Sequence, residues 1–451
     1  MRKIFYGFGG LSYSVISQTI SNFFMFFATS VLGLQGTLVG IVVAISTIWD
    51  GVSDTLMGHL SDNYKIGKLG RRNGYMLIAT LGMSIFNIVL WCVPNNFSNG
   101  LKFVWILISL LLLETFNTMF STPYGALGND LASNYDDRTK NNAFSTVFYL
   151  IGIIIPSILL VIFLPDTEEY PIGQLNPKGY VNIAIVTSII CLTFGLLCSL
   201  LSFPRSDSSS NNAKETIGLR GLFLDFLNVF KNKRVNKIIF GYVLTSIATV
   251  FLCSVGLHFF TYSFFYTSKQ ITFLLLTLML GTILSQPLWV HISKLRRKKP
   301  ALIIGIILTI LSVFGVIFIY LFRIELYNIS FILMLIAILI CGIGSGALYC
   351  LPLSLYGDRV KFEENSNNKN GIYSGVLTFA GNIANSITQL LVGLLLDIIH
   401  FDGGENVQSL SVQTGLALIL FIGVQLSLIL ACFIFASYKE CVENYENLSK
   451  G

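Results

Sequence analysis

The chain has 451 residues, of which 54% are hydrophobic and only 12% charged, a balance that excludes a water-soluble domain and leaves a polytopic membrane protein. Its net charge of +6 is spread over short loops between apolar runs, which excludes a nucleic-acid-binding patch. The eight cysteines lie mostly in apolar stretches without C-x-x-C spacing, and the four histidines, His59, His258, His291 and His400, are scattered with no H-E-x-x-H or nucleophile motif; neither a disulfide framework, nor a structural zinc site, nor an enzyme with a cofactor is expected.

A membrane helix needs about 20 apolar residues to cross a hydrocarbon core of roughly 30 Å. Twelve runs meet that rule, at 8–32, 37–60, 73–93, 102–127, 143–165, 180–203, 238–265, 270–292, 300–322, 329–356, 371–399 and 413–437. The first follows Met1 to Lys3 like a signal sequence, but it is long and lacks an Ala-x-Ala cleavage pattern, so it is expected to stay as a helix. Six runs precede the polar break from Pro204 to Thr216 and six follow it. The expected fold is therefore all-α, with twelve transmembrane helices in two pseudo-symmetric six-helix bundles. Residues 1–204 form the first bundle, 205–237 a cytoplasmic linker, 238–440 the second bundle and 441–451 a cytoplasmic tail. Within the linker, Leu219, Leu222, Phe223, Phe226, Leu227 and Phe230 recur at helical spacing ahead of Lys231, Lys233, Arg234 and Lys237. That pattern predicts an amphipathic helix on the inner leaflet, tethering the two bundles.

Orientation follows from the basic residues. All of the 29 lysines and arginines except Lys102, Lys178, Lys269 and Arg323 lie at the termini or in the loops after even-numbered spans. The positive-inside rule then puts both termini in the cytoplasm of a multi-pass cell-membrane protein.

The second run carries the sharpest feature, Asp50 and Asp54 inside a stretch otherwise apolar enough to cross a bilayer. An ionised aspartate at the centre of a membrane helix costs roughly 2.5 to 3.5 kcal/mol, so two of them need a partner or a wet cavity. At i and i+4 both carboxylates share one helix face, close enough to hold one small cation, with Ser46 and Ser53 flanking it. The plainer alternative is that the acids hydrogen-bond neighbouring helices and lock a bundle.

Other spans carry polar residues on one face. Ser14, Gln18 and Ser21 mark helix 1; Glu114, Asn117, Thr118 and Ser121 mark helix 4; His258 and Tyr262 mark helix 7; and a stripe from Ser374 through Thr378, Asn382, Asn385 and Ser386 to Gln389 marks helix 11. Single serines and threonines also glue membrane helices together, so the stripes count for more than their members. Ser14, Gln18, Glu114, Ser121, His258, Asn382 and Asn385 are expected to line a solute path. Glu114, a third acid within a span, serves either as a proton carrier or as a neutral hydrogen-bonding group. In the loop after helix 2, Asp62 caps a helix end and Arg71 and Arg72 can bridge to a neighbouring helix, a charge latch that gates the bundle. The basic run Lys294 to Lys299 is a degenerate counterpart in the second half.

Tyr6-Gly7-Phe8-Gly9, then Trp49-Asp50-x-x-x-Asp54-x-x-Met57-Gly58, then Thr122-Pro123-Tyr124 and the acidic loop Asp358 to Glu364 resemble the major facilitator superfamily, and within it the glycoside-pentoside-hexuronide:cation symporters. The resemblance runs along essentially the whole chain. It implies that Asp50, Asp54 and Thr118 bind the coupling cation, with Ser53 where the best-known member has an asparagine. Ser14 and Ser121 stand where the family has sugar-gripping acids, Thr146 or Val147 near its helix 5 arginine, and Gly381 near its helix 11 lysine. The expected function is cation-coupled symport, with sodium first and proton second, of a small solute such as a sugar or glycoside. The bundles alternate access as a monomer whose partners are the solute and the lipid bilayer. Two other readings stay open. One is export of a peptide, lipid or amphipathic metabolite driven by protons through Glu114, and the other is a membrane sensor that kept the fold and lost transport.

Overall fold

The computed structural model describes residues 2–64, 66, 72–131, 135–202, 232–361, 370–438 and 440. Among the described residues there are twelve long helices and no strand. They are α1 (Arg2–Phe26), α2 (Gly36–Asn63), α3 (Asn73–Trp91), α4 (Asn99–Asp130), α5 (Tyr135–Phe163), α6 (Pro177–Leu201), α7 (Lys233–Phe264), α8 (Ser268–Arg296), α9 (Lys298–Leu321), α10 (Ser330–Lys361), α11 (Asn370–Ile398) and α12 (Leu410–Ser437). Each apolar run in the sequence has its helix. Eleven are long and apolar enough to cross a membrane. α1 is not among them, because hydroxyl and amide side chains crowd the stretch Ser12–Asn22. The amphipathic segment expected at Leu219 to Phe230 and the tail 441–451 lie outside the described residues.

Local chemistry sets several helix ends. Asn176 caps α6 by accepting from the Lys178 amide at 3.0 Å, with Pro177 in the first helical position, where its missing N–H is no loss. α1 ends in a turn of π-helix, Phe27–Val31, and Gly33 follows at φ +67, a conformation that only glycine adopts without strain. Pro123 sits inside α4, removing one rung of its backbone ladder just past Thr118 and Thr122.

The described residues group into two compact units. The first holds the described residues up to 202 together with Val250–Leu276 and Asn385–Leu420. Within it α1 packs between α5 and α6, α3 packs on α4 and α6, and α2 packs on α4. Small residues allow the closest approaches: a Cβ on Gly10 would stand 2.5 Å from the Ser145 carbonyl oxygen. Buried amides tie helices where the bilayer offers no competing water. Asn87 Nδ2 reaches the Ala184 carbonyl at 3.1 Å and the Ser188 hydroxyl at 2.9 Å, and Asn73 Nδ2 reaches the Ser199 carbonyl at 2.8 Å.

The second unit holds the described residues of 232–249, Thr277–Ala384 and 421–440. Here α9 packs on α10, Ser312 donates to the Ala337 carbonyl at 2.7 Å, and Gln425 Nε2 donates to the Ile310 carbonyl at 2.8 Å. At one end Lys298 Nζ pairs with Asp358 at 2.5 Å, while Glu440 accepts the Lys298 and Lys299 amides at 3.1 and 3.2 Å and so caps α9.

Candidate functional site

Asp50 and Asp54 lie on the face of α2 that meets α4. Thr118 Oγ1 donates to Asp50 Oδ1 at 2.9 Å, and Thr122 Oγ1 donates to Asp54 Oδ1 at 3.1 Å. One residue before Asp50 on α2, and about a turn before Thr118 on α4, Trp49 Nε1 donates to Thr115 Oγ1 at 2.8 Å. The partners advance together along both helices, so α2 and α4 run parallel and three hydroxyl rungs set their register. Ser53 completes the group: its Oγ lies 3.0 Å from the Asp50 carbonyl and 3.1 Å from Thr118 Oγ1, with one proton to share between them. Ser53 and Thr118 are buried at 4% and 0% exposure, whereas both carboxylates are half-buried. Ser46, also buried, bonds back to the Val43 carbonyl at 2.9 Å within its own helix.

Two carboxylates about 6 Å apart on one face repel each other by about 3 kcal/mol at an effective dielectric near 20. Hydroxyl donors ease that without cancelling it, because they are neutral. A small cation between the two would cancel it. The donors gathered here, the carboxylates of Asp50 and Asp54, the hydroxyls of Ser53, Thr118 and Thr122 and one backbone carbonyl, are all hard oxygens. Such a set suits a hard cation and offers nothing to a soft transition metal.

Glu114 lies on the adjoining stripe of α4, half-buried, and accepts from Asn117 Nδ2 at 3.1 Å. Among the described residues no three of His, Cys, Asp and Glu come together as metal ligands. The polar run of helix 4 thus splits in two. Thr115, Thr118 and Thr122 point at α2, while Glu114, Asn117 and Ser121 form the next stripe round. Sequence reasoning missed Thr115 and Thr122, although their i, i+3, i+7 spacing with Thr118 is the signal that finds them.

The other expected solute-path residues lie on α1, α4, α7 and α11. Ser14 is buried against α5, where a Cβ on Gly152 would collide with it, and its Oγ bonds the Leu11 carbonyl at 3.3 Å. Gln18 Nε2 donates to Asn22 Oδ1 at 2.6 Å, half-buried on α1. Ser121 is half-buried on α4. His258 is fully buried, with Nδ1 3.1 Å from the Ser254 carbonyl, Nε2 2.8 Å from Thr29 Oγ1, and Phe26 and Phe401 rings at 4.9 and 5.3 Å. The carbonyl at Nδ1 requires the proton there, leaving Nε2 to accept from Thr29. Asn382 falls in the second unit and Asn385 in the first; the Asn385 side-chain oxygen is enclosed without a hydrogen bond. Of the expected latch, Arg72 stands half-buried ahead of α3. The Asp62 side chain and Arg71 lie outside the described residues.

Against known proteins, residues 5–439 match the family model described as MFS/sugar transport protein. Over 39% of its length the chain is 30% identical to an uncharacterized symporter, sll1374, of Synechocystis sp., and that match spans 33% of the relative. Over 99% of its length, and 87% of the relative's, it is 22% identical to the sodium-dependent lysophosphatidylcholine symporter 1-A of Danio rerio. Among solved structures, a mutant of the nucleoside transporter NupG covers 97% of this chain and 100% of its own at a TM-score of 0.70 and 16% identity, a likeness of fold alone.

Proposed function

Because the chain belongs to the MFS/sugar transport protein family, we propose that it is a cation-coupled symporter whose ion site is the α2–α4 ladder of Asp50, Ser53, Asp54 and Thr118, with Thr122 added. The observation that carries the reading is the pair of carboxylates held side by side by the hydroxyls of one neighbouring helix. An arriving cation removes the repulsion between the two acids and favours the state that accepts solute. A coupling free energy of this kind tightens solute binding by roughly 5- to 150-fold. Sodium is the first choice, supported by the oxygen-only donor set and by the name of the relative matched along nearly the whole chain; a proton is the second.

The cargo is a small solute such as a sugar or glycoside, taken up by alternating access in a multi-pass membrane protein with both termini in the cytoplasm, working as a monomer. Glu114, Ser121 and Gln18 are its proposed contacts, together with Asn385 of the same unit; Ser14 and His258, bonded within the helix packing, support the walls rather than the solute. A second cargo class, an amphipathic lipid, is favoured by the same Danio rerio relative, whose name assigns it lysophosphatidylcholine. Enzymatic activity forms no part of this reading.

Uptake into proteoliposomes tests the ion site. With a sodium gradient imposed, Asp54→Cys should remove the sodium dependence of uptake while exchange of solute across the membrane persists. Unchanged sodium dependence rejects the site. Running a sugar panel and a lysophospholipid in parallel separates the two cargo classes.

A further inference from the structure

α2 starts without a cap of its own. Gln35 precedes it with no side-chain capping bond, and no acid lies in its first turn. The orphan amides that every helix start exposes are met here from far away in the chain. The Gly36 amide donates to Asp397 Oδ1 at 2.7 Å and the Thr37 amide to Oδ2 at 2.8 Å, and the Thr37 hydroxyl also donates to Oδ2. The capping residue lies 361 positions beyond Gly36.

The Asp397 carboxylate is turned to α2, while its backbone carbonyl accepts the His400 amide at 2.9 Å at the end of its own helix. It occupies the last turn of α11, where the partial negative charge of the helix end disfavours an acid. At the start of α2 the same charge is favoured, so its electrostatic role lies in the helix it reaches. The backbones behind the contact are close: a Cβ on Gly393 would overlap the Gly36 carbonyl, and one on Gly40 would lie 2.8 Å from Leu390 Cα. Just past α11, Gly403 rests on the backbone of Thr29 in the π-helical turn, the same Thr29 that donates to His258.

The start of α2 and the end of α11 both belong to the face opposite the basic loops. We propose that Asp397 is a detachable cap that latches this face shut, a positioning residue of the transport cycle that acts through the α2–α11 contact and not on ion or solute. The inference rests on the symport reading only for its place in the cycle. A solute entering from that face requires the two helix ends to part, which returns a carboxylate, two amides and a hydroxyl to water. Water re-forms those bonds, so the latch can open and close repeatedly, and the charge-assisted bonds bias it toward closed.

The test measures the gate itself. Spin labels at Gln35→Cys and Glu405→Cys, both exposed positions, report the separation of the two ends in full-length, cysteine-depleted protein in lipid nanodiscs. Asp397→Asn should raise the long-distance population about tenfold, and Asp397→Glu, which keeps the charge, should restore much of the closed population. Thr37→Val keeps volume and both amide donors, so it folds on the same terms and should shift the population in the same direction by about threefold. In proteoliposomes Asp397→Asn should lower both the apparent KM from the latched side and the turnover, since more molecules wait open and closing is harder. A purely structural loss would lower only the maximal rate. Distance populations unchanged in both Asp397→Asn and Thr37→Val overturn the latch and leave the ion site standing. Uptake by the unmodified protein that ignores sodium and proton gradients would overturn the symport reading, and the distance populations would still decide the latch.

Discussion

Thr118 and His258 show how far a residue's neighbours decide its role. Thr118 is buried and bonded to Asp50 and Ser53 at once, so replacing it by valine removes a donor to a carboxylate and leaves Ser53 its bond to the Asp50 carbonyl. A hydrogen bond to a charged group is worth roughly 1.5 to 3 kcal/mol. We therefore expect Thr118→Val to weaken sodium-dependent ligand binding at least tenfold by calorimetry, and Thr122→Val, which removes a donor to Asp54 alone, to weaken it less. His258 is the contrast. Its removal frees Thr29 to donate to the Met25 carbonyl, already 2.8 Å away, and leaves an aromatic wall of Phe26, Tyr262 and Phe401. His258→Leu should lower stability by about 1 kcal/mol in thermal unfolding and leave the sodium midpoint where it was.

At the scale of elements, each helix divides its surface between lipid, packing and site. On α4 the division is one residue wide, with the threonine stripe turned to α2 and the Glu114 stripe beside it. On α3, Asn87 is committed to packing, bonded to the Ala184 carbonyl and to the Thr187 and Ser188 hydroxyls of α6. Thr187 keeps its own bond to the Ile183 carbonyl, so the loss on mutation is partial. Asn87→Leu should reduce stability by roughly 0.6 to 1.7 kcal/mol, read from unfolding in detergent, with coupling unaffected. The same logic explains Ser14. A serine opposite Gly152 permits α1 and α5 to touch, and that contact takes the hydroxyl the sequence stripe had assigned to the solute path.

For the whole molecule, the twelve long helices among the described residues and the basic residues clustered after even-numbered spans make orientation a testable statement. A membrane-impermeant thiol reagent should label Glu405→Cys in intact cells and Lys3→Cys only after permeabilisation. The reverse pattern would invert the topology and with it the direction in which the Asp397 latch opens. Val250–Leu276 and Asn385–Leu420 belong to the compact unit that holds the helices of the first half. Those segments supply His258, Gln389 and Asp397, and Ser254 donates to Gln389 Oε1 at 3.1 Å there.

Composition and local pattern by themselves determined the all-helical membrane fold, the helix count and the presence of a carboxylate pair, because apolar length and the cost of a charge in hydrocarbon act over a turn or a span. They also placed Asp50, Asp54, Ser53 and Thr118 in one group, through spacing on α2 and a family resemblance on α4. Only the tertiary structure decided which of two adjacent α4 stripes meets α2, that Ser14 and His258 are buried with hydrogen-bond partners, and that Asp397 caps a helix 361 residues away. Each of these depends on the rotation of one helix about its axis against another. A difference of one residue turns a side chain by 100°, and periodicity alone cannot say which face the partner occupies.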